Sequence, residues 1–325
     1  MRISLHILII IILISISCST SLAQDRFKKK KYIFELDITK SMCGYGGAPA
    51  IFEQVINQLC AAIENINDAN SEIVISTFQD KIVNTWSVKD ASSDSKKVLI
   101  KNLKDIKCEN LAITSTNTYV AWADAKRNLD ASKINIVFIL TDGQHNSSTN
   151  SKTEMLNMIS NWDNNTEEAY AILVQLTSSA IDNDVRQRVE STNNVQIIQG
   201  IEFFVLQIKE PKQIVNTEET MEFEIDLTKD NWKKAYDNVD LTFNFDNQYF
   251  ELSKYSCKIS DLPIKIQLKP KVSIDQIKQE LQKTSFSNLE IIINDNYPQI
   301  KLIDNKVSIQ INNKKEKILK LWVVN

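Results

Sequence analysis

The sequence predicts a doubly wound α/β domain with a mostly parallel sheet, followed by a smaller all-β sandwich domain. Up to Gly200, apolar strand-like runs alternate with amphipathic helical stretches, which is typical of a parallel sheet covered by helices. After Gly200 the pattern changes to short strand-like stretches separated by turn-forming Asn and Asp. The chain has 325 residues, of which 43% are hydrophobic, and this suffices for two domains with substantial cores. We place the α/β domain at residues 28–206 and the sandwich at residues 207–325.

The elements of the α/β domain follow from the spacing of its apolar residues. Runs that are mainly apolar predict strands covered on both faces, at residues 32–36, 73–78, 134–140, 170–176 and 195–198. A short turn at 79–81 predicts a hairpin into an antiparallel edge strand at 82–88. Apolar residues at helical spacing predict helices at 51–66, 95–106, 119–129, 155–162 and 181–189. Trp122 lies within one of these helices, and we expect it in the core.

The sandwich domain is predicted from short β-forming stretches. They lie at residues 203–208, 221–227, 239–245, 264–268, 289–293 and 306–311. An immunoglobulin-like arrangement is a candidate for their topology. Residues 274–282 could instead form one short helix.

The N-terminal segment predicts export. Arg2 precedes an apolar run at 5–16 that is short for a membrane span, as in a secretory signal peptide. Ser21-Leu22-Ala23 has the small-x-small form that signal peptidase needs, so we expect residues 1–23 to be removed. The alternative is a lipoprotein, because Cys18 ends an imperfect lipobox. We therefore expect a protein that is secreted or held in the cell envelope or periplasm, with membrane contact only through a lipid anchor at Cys18.

The cysteines that remain after this leader are even in number. They are Cys43, Cys60, Cys108 and Cys257, and none belongs to a CxxC pair. A zinc site is therefore disfavoured, and three full pairings into disulfides are open. Cys60 lies on the apolar face of a predicted helix, so the bridge to test first joins Cys43 to Cys108. The net charge of −3 provides no basic surface, so we expect no nucleic-acid partner.

Five oxygen-bearing side chains are predicted to meet at one edge of the parallel sheet. Asp37, Thr39 and Ser41 follow the first strand, Asp142 follows the strand at 134–140, and Thr116 lies in a polar loop between them. In open α/β sheets, ligands bind outside the carboxyl ends of the strands. Oxygen ligands alone suit a hard cation such as Mg²⁺, Mn²⁺ or Ca²⁺. Two carboxylates with three neutral hydroxyls leave the cation electrophilic, so it should accept a carboxylate from a partner.

At these residues the chain resembles the von Willebrand factor type A (vWA) family, which has a Rossmann-like fold. The metal-ion-dependent adhesion site (MIDAS) of that family reads DxSxS, then a Thr, then an Asp often within TDG, and the resemblance covers roughly residues 31–207. Thr39 replaces the commoner Ser, and its hydroxyl can serve the same role. The resemblance implies that Thr39, Ser41 and Thr116 coordinate the metal directly, and that Asp37 and Asp142 act mainly through water.

Enzymatic function is disfavoured because the usual nucleophile–base motifs are missing. Beyond the predicted leader, His145 is the one histidine available as a base, and we expect it to be a solvated loop residue. The sequence contains neither a GxSxG elbow nor a GxxxxGK[ST] phosphate loop. We therefore expect no enzymatic activity, no catalytic residue and no organic cofactor.

These observations predict an exported adhesion or binding protein. Its vWA domain would capture a protein ligand through an Asp or Glu carboxylate of that ligand, bridged by the cation, and the sandwich would act as a spacer. The alternative is a structural cell-envelope or assembly protein whose metal site is unused. Metal-dependent binding to a carboxylate-bearing partner separates these two hypotheses.

Overall fold

A computed structural model of the chain describes most of residues 28–309. The residues it leaves out within that range are 67, 112–114, 144, 148, 165–167, 178–180, 200–203, 209–211, 217–220, 229, 238, 274–275, 277–288, 296–299 and 304–305. The predicted signal peptide, including Cys18, therefore lies outside the described residues, as does most of the alternative helix at 274–282. No helix in the described part of the chain has the length and hydrophobicity needed to cross a bilayer.

The N-terminal α/β region, residues 28–199, contains a six-stranded sheet. Its strands are β1 (Lys30–Asp37), β2 (Glu72–Phe78), β3 (Ile82–Val88), β4 (Ile134–Thr141), β5 (Ala169–Gln175) and β6 (Val195–Gln199). They are arranged in the order β3-β2-β1-β4-β5-β6. All neighbours are parallel except β2 and β3, which form the predicted antiparallel hairpin. The predicted fold class, a doubly wound and mostly parallel sheet, is confirmed.

Helices cover both faces of this sheet. In the described residues of the region they are α1 (Phe52–Glu64), α2 (Ser93–Lys104), α3 (Thr118–Arg127), α4 (Thr149–Ser160) and α5 (Asn183–Glu190). Alternate residues of β1 point to opposite faces. Phe34 packs in the same core cluster as residues of α1 and α2, whereas Ile33 packs with residues of α3, α4 and α5. Because β1 is buried along its whole length, its apolar run has no polar alternation.

The core between the sheet and helices α3 to α5 contains a pair of tryptophans. Trp122 on α3 is fully buried, which confirms its predicted place in the core, and Trp162 is 1% exposed. Their rings meet edge to face with centroids 5.2 Å apart. Large aromatic side chains that are wholly withdrawn from water contribute strongly to the stability of such a layer.

Trp122→Ala should lower the free energy of unfolding by about 3–5 kcal/mol, because it removes a large buried ring and leaves a cavity. The matched control is Val98→Ala on α2, where the side chain is 56% exposed; the change there should stay within about 0.5 kcal/mol. Urea denaturation followed by circular dichroism measures both. A loss of stability in Trp122→Ala as small as that in Val98→Ala would contradict the burial of Trp122 in the core.

The C-terminal β region, residues 204–309, contains two four-stranded sheets. The strands are β7 (Phe204–Gln207), β8 (Lys212–Asn216), β9 (Met221–Ile225), β10 (Asp240–Asn244), β11 (Phe250–Leu252), β12 (Ser256–Lys258), β13 (Ile264–Pro270), β14 (Leu289–Asp295), β15 (Ile300–Ile303) and β16 (Lys306–Ile309). The sheets have the orders β12-β10-β14-β16 and β11-β13-β9-β8, and all their pairings are antiparallel. Phe223 of one sheet and Phe243 of the other belong to one buried cluster. The predicted β-sandwich class is confirmed.

Four of these strands, β8, β11, β12 and β15, were not predicted. β11 and β12 have three residues each, which is too short to show an alternating pattern. β7 and β15 form a separate parallel pair. β7 lies across the predicted division at residues 206 and 207, and that division stays a prediction.

The two regions meet at the edge of the α/β sheet where the parallel strands begin. Trp232 is buried there, its Nε1 donates to the backbone oxygen of Asn193 at 3.3 Å, and its ring centroid lies 5.2 Å from that of Tyr170. Lys30 at the start of β1 pairs with Asp237 at 3.0 Å. The C-terminal region is therefore attached at the end of the sheet opposite to the carboxyl ends of β1 and β4.

Candidate metal centre

The sheet places the predicted ligands on three neighbouring loops. Asp37 is the last residue of β1, and Thr39 and Ser41 follow it in the connection to α1. Asp142 comes directly after β4, which is paired in parallel with β1. Thr116 lies two residues before α3. The carboxyl ends of adjacent parallel strands share one edge, so the topology itself gathers these side chains.

Hydrogen bonds show that all five side chains come together. The Thr116 Oγ1 hydroxyl donates to Thr39 Oγ1 at 3.4 Å, and Thr39 Oγ1 lies 3.0 Å from Ser41 Oγ. Ser41 Oγ in turn donates to Asp142 Oδ1 at 3.2 Å. Asp37 Oδ1 accepts from the backbone N–H of Thr39 at 2.8 Å. Four of the five side chains thus form a continuous series of oxygen contacts, and Asp37 is bound to the backbone of Thr39 beside them.

The spacing of these oxygens fits the coordination shell of a small divalent cation. In an octahedral shell with metal–oxygen distances of about 2.1 Å, neighbouring oxygens lie about 3.0 Å apart. The three hydroxyl and carboxylate contacts, at 3.0, 3.2 and 3.4 Å, are close to this value. Serine and threonine hydroxyl hydrogens can rotate away and turn their lone pairs inward. Thr39, Ser41, Thr116 and Asp142 could therefore surround one cation, with Asp37 beside them.

Two of the cluster's carboxyl groups are buried close to each other. Asp37 is fully buried and Asp142 is 5% exposed. Burial, followed by repulsion from Asp142, raises the pKa of Asp37 to about 7, although bonds from Thr39 and Thr141 act in the opposite direction. Burial also raises the pKa of Asp142, against a hydrogen bond from Ser41. A cation at this position would relieve both the desolvation and the repulsion.

Without metal, raising the pH from about 5 to about 8 should destabilise the protein. In this pH interval the carboxyl group of Asp37 binds more protons in the folded state, where its pKa is about 7, than in the unfolded state, where its pKa is 3.8. The stability of the folded state is therefore lost as the pH rises. Glu35, whose pKa burial and Asp124 raise, contributes in the same direction. Asp37→Asn should therefore lose less stability than wild type between these pH values, and in chelator it should be more stable than wild type at about pH 8.

Thermal unfolding in chelator across this pH range measures the effect. The matched control is Asp94→Asn, which changes a carboxylate whose side chain is 92% exposed and should leave the slope unchanged. If stability falls as steeply with rising pH in Asp37→Asn as in wild type, Asp37 does not cause the pH dependence.

Several residues that were not assigned a role in the sequence hold these loops in place. Thr141 Oγ1 donates to Asp37 Oδ2 at 2.8 Å, and Thr177 Oγ1 donates to the Asp142 backbone oxygen at 2.7 Å. Gln79 Nε2 donates to the backbone oxygen of Ile38 at 2.9 Å, and the backbone oxygen of Gln79 accepts from the backbone N–H of Asn117. Only Thr141 carried a signal in the sequence, because it belongs to the Thr-Asp-Gly motif. The others act through contacts between distant loops.

The expectation of a solvated His145 is wrong. Its ring is partly buried, with Nδ1 3.0 Å from the hydroxyl of Thr118 and Nε2 2.9 Å from the hydroxyl of Ser151. Next to it, Asn146 Oδ1 accepts from the N–H of Thr116, and the N–H of Asn146 donates back to the Thr116 oxygen. The loop that follows Asp142 is therefore bound to α3, to α4 and to the Thr116 loop.

A disulfide also fixes the first ligand loop. Cys43 is bonded to Cys108, which confirms the pairing chosen for testing, while Cys60 is buried on α1 as a free thiol, as expected. Cys43 ends the 3₁₀ turn that contains Ser41. The bridge thereby ties the loop of Thr39 and Ser41 to the segment after α2. Cys257, the remaining cysteine, is free.

The cluster differs from metal sites built mainly from carboxylates, imidazoles and thiolates. The described residues contain no group of three or more His, Cys, Asp and Glu side chains that could hold a metal ion. The candidate centre has only two carboxylates, and its other oxygen ligands are hydroxyls. Assignment of the metal to Asp37, Thr39, Ser41, Thr116 and Asp142 thus rests on the geometry above and stays a prediction.

Neither a protein-family model nor a curated protein matches the chain. Its fold is similar to that of several solved structures. A vWA protein from Catenulispora acidiphila shares 11% identity over 90% of this chain and 64% of its own, with a TM-score of 0.43. Proximal thread matrix protein 1 from the mussel byssus shares 16% identity over 53% of this chain, with a TM-score of 0.39, and the match spans 42% of its length.

A manganese-loaded TRAP protein from Plasmodium vivax has 13% identity and a TM-score of 0.37, over 61% of this chain and 87% of its own. A further structure of the byssus protein is described as having a zinc-occupied MIDAS motif. These likenesses concern the fold alone.

Proposed function

We propose that this chain is an exported binding protein that captures a protein ligand through a divalent cation. The observation that carries the proposal is the cluster of hydroxyl and carboxylate oxygens, 3.0–3.4 Å apart, around two buried and mutually repelling carboxyl groups. Asp37 and Asp142 supply negative charge, and Thr39, Ser41 and Thr116 supply neutral oxygens. Mg²⁺ is the expected ion, with Mn²⁺ and Ca²⁺ as alternatives.

The residues of the cluster have different roles in binding. A bound cation would supply a Lewis acid with an open coordination position for an Asp or Glu carboxylate of the partner. The two carboxylates formally balance the charge of a divalent cation, and because the other three side chains are neutral hydroxyls, the cation would stay electrophilic. Thr141 holds Asp37 in place through its bond to Oδ2, and Thr177 holds the backbone of Asp142. Preorganised ligands of this kind reduce the entropy lost on binding.

Export and a non-catalytic role complete the proposal. The Cys43–Cys108 disulfide suits an oxidising compartment outside the cytoplasm, in agreement with the predicted signal peptide. We assign no catalysis to the site, since both ring nitrogens of His145 are engaged with Thr118 and Ser151. The C-terminal region is attached at the opposite end of the sheet, where it can serve as a spacer that leaves the edge with Asp37 and Asp142 accessible.

Asp142→Ala should lower the affinity for Mn²⁺, a spectroscopic substitute for Mg²⁺, by at least about tenfold, because it removes one of the two carboxylates. It should also abolish Mg²⁺-dependent binding of a labelled pentapeptide, Gly-Gly-Asp-Gly-Gly. Asp94→Ala, a change at an exposed carboxylate on α2, is the matched control and should behave as wild type. Electron paramagnetic resonance measures free Mn²⁺, and fluorescence anisotropy measures the peptide.

The outcomes separate the hypotheses. Mn²⁺ binding without any peptide binding would support a structural protein whose metal is not used for capture. Peptide binding that is equal in chelator, or in Asp142→Ala, would contradict a cation bridge.

A further inference from the structure

The rim of the candidate metal centre carries an exposed aromatic side chain. Tyr45 is 55% exposed and lies in a short 3₁₀ turn, Tyr45–Gly47, in the loop between Ser41 and α1. Most of the large apolar side chains in the α/β region are buried, so an exposed ring four residues after a ligand is a distinctive surface feature. A Cβ atom added at Gly46 or Gly47 would meet no atom within 4 Å, so the space around the turn is open.

The turn is held in place. Cys43 is fixed by its disulfide and by an antiparallel bridge to Ala50, and the N–H of Ile51 donates to the Met42 oxygen at 2.9 Å. Gly44 has a φ of +87° and its N–H donates to the Ser41 oxygen at 2.9 Å, so the turn is joined directly to a ligand residue. The backbone that carries Tyr45 is therefore anchored on both sides of the turn, which limits the ordering entropy lost on contact with a partner.

A positive charge accompanies the ring. Lys40 lies between the ligands Thr39 and Ser41, and its Nζ is 4.7 Å from the centroid of the Tyr45 ring. Within the described part of the chain, Lys40 forms no ion pair. Together with the cation of the proposed function, Lys40 gives the rim a positive potential that complements an acidic partner.

We propose that Lys40 and Tyr45 form a specificity surface beside the metal centre. This inference rests on the proposed function. The surface selects an acidic protein segment in which the coordinating Asp or Glu is followed directly by an aromatic side chain. The acidic group binds the cation, Lys40 strengthens the attraction to it, and the neighbouring ring packs on the exposed face of Tyr45. Exposed, rigid tyrosines are enriched among the residues that dominate binding energy at interfaces.

Two labelled pentapeptides test this proposal, Gly-Gly-Asp-Gly-Gly and Gly-Gly-Asp-Phe-Gly, each titrated with protein in Mg²⁺ and followed by fluorescence anisotropy. Wild type should bind the Phe peptide about fivefold more tightly, as expected for one aromatic pair. Tyr45→Ala should bind the Gly peptide as wild type does and lose the preference for Phe. Tyr255→Ala, at a tyrosine that is 48% exposed in the C-terminal β region, is the matched control and should keep the preference.

Each outcome is decisive. Equal binding of the two peptides by wild type, or an unchanged preference in Tyr45→Ala, would overturn the specificity surface while leaving the cation bridge intact. If neither peptide binds in Mg²⁺, the proposed function and the specificity surface fail together. Lys40→Met should weaken both peptides equally and reduce the salt dependence of binding, and an unchanged salt dependence would remove Lys40 from the surface.

Discussion

The structure of the candidate metal centre depends on one electrostatic constraint, the burial of two carboxyl groups at the same edge of the sheet. Asp37 and Asp142 are nearly inaccessible to water, and among the residues that the structure describes no lysine or arginine is hydrogen-bonded to either of them. Removing paired anions from water is costly unless a cation compensates them. The backbone N–H of Thr39 and the hydroxyls of Ser41 and Thr141 satisfy part of the hydrogen-bonding capacity of these carboxyl groups, but they do not neutralise charge. A divalent cation bound between the two carboxyl groups would resolve this conflict.

The central part of this arrangement was predictable from the sequence. Mainly apolar runs before Asp37 and Asp142 identify buried parallel strands, and the carboxyl ends of such strands share one edge. Position alone therefore brings the motif residues together. The supporting contacts were not predictable, because the bonds from Gln79 to Ile38 and from Thr177 to Asp142 depend on the paths of loops with no periodic pattern. The place of His145 was mispredicted for the same reason.

The C-terminal region shows a second limit of prediction from sequence. Its longer strands, such as β13, alternate clearly between buried and exposed side chains. The three-residue strands β11 and β12 form because longer neighbours, β13 and β10, offer free edges, so their existence is set by tertiary context. Trp232 joins this region to the starts of β5 and β6. This places the β-sandwich away from Asp37 and Asp142 and leaves the rim around Tyr45 open.

The most direct test of the central claim is anomalous X-ray diffraction from crystals of the protein grown with Mn²⁺. We predict one strong manganese peak at the edge of the sheet, within about 2.5 Å of the hydroxyl oxygens of Thr39 and Ser41. It should disappear in Asp142→Ala crystals grown in the same way. A well-ordered site with no peak between Asp37 and Asp142, or a peak retained in the variant, would contradict a metal centre at these residues.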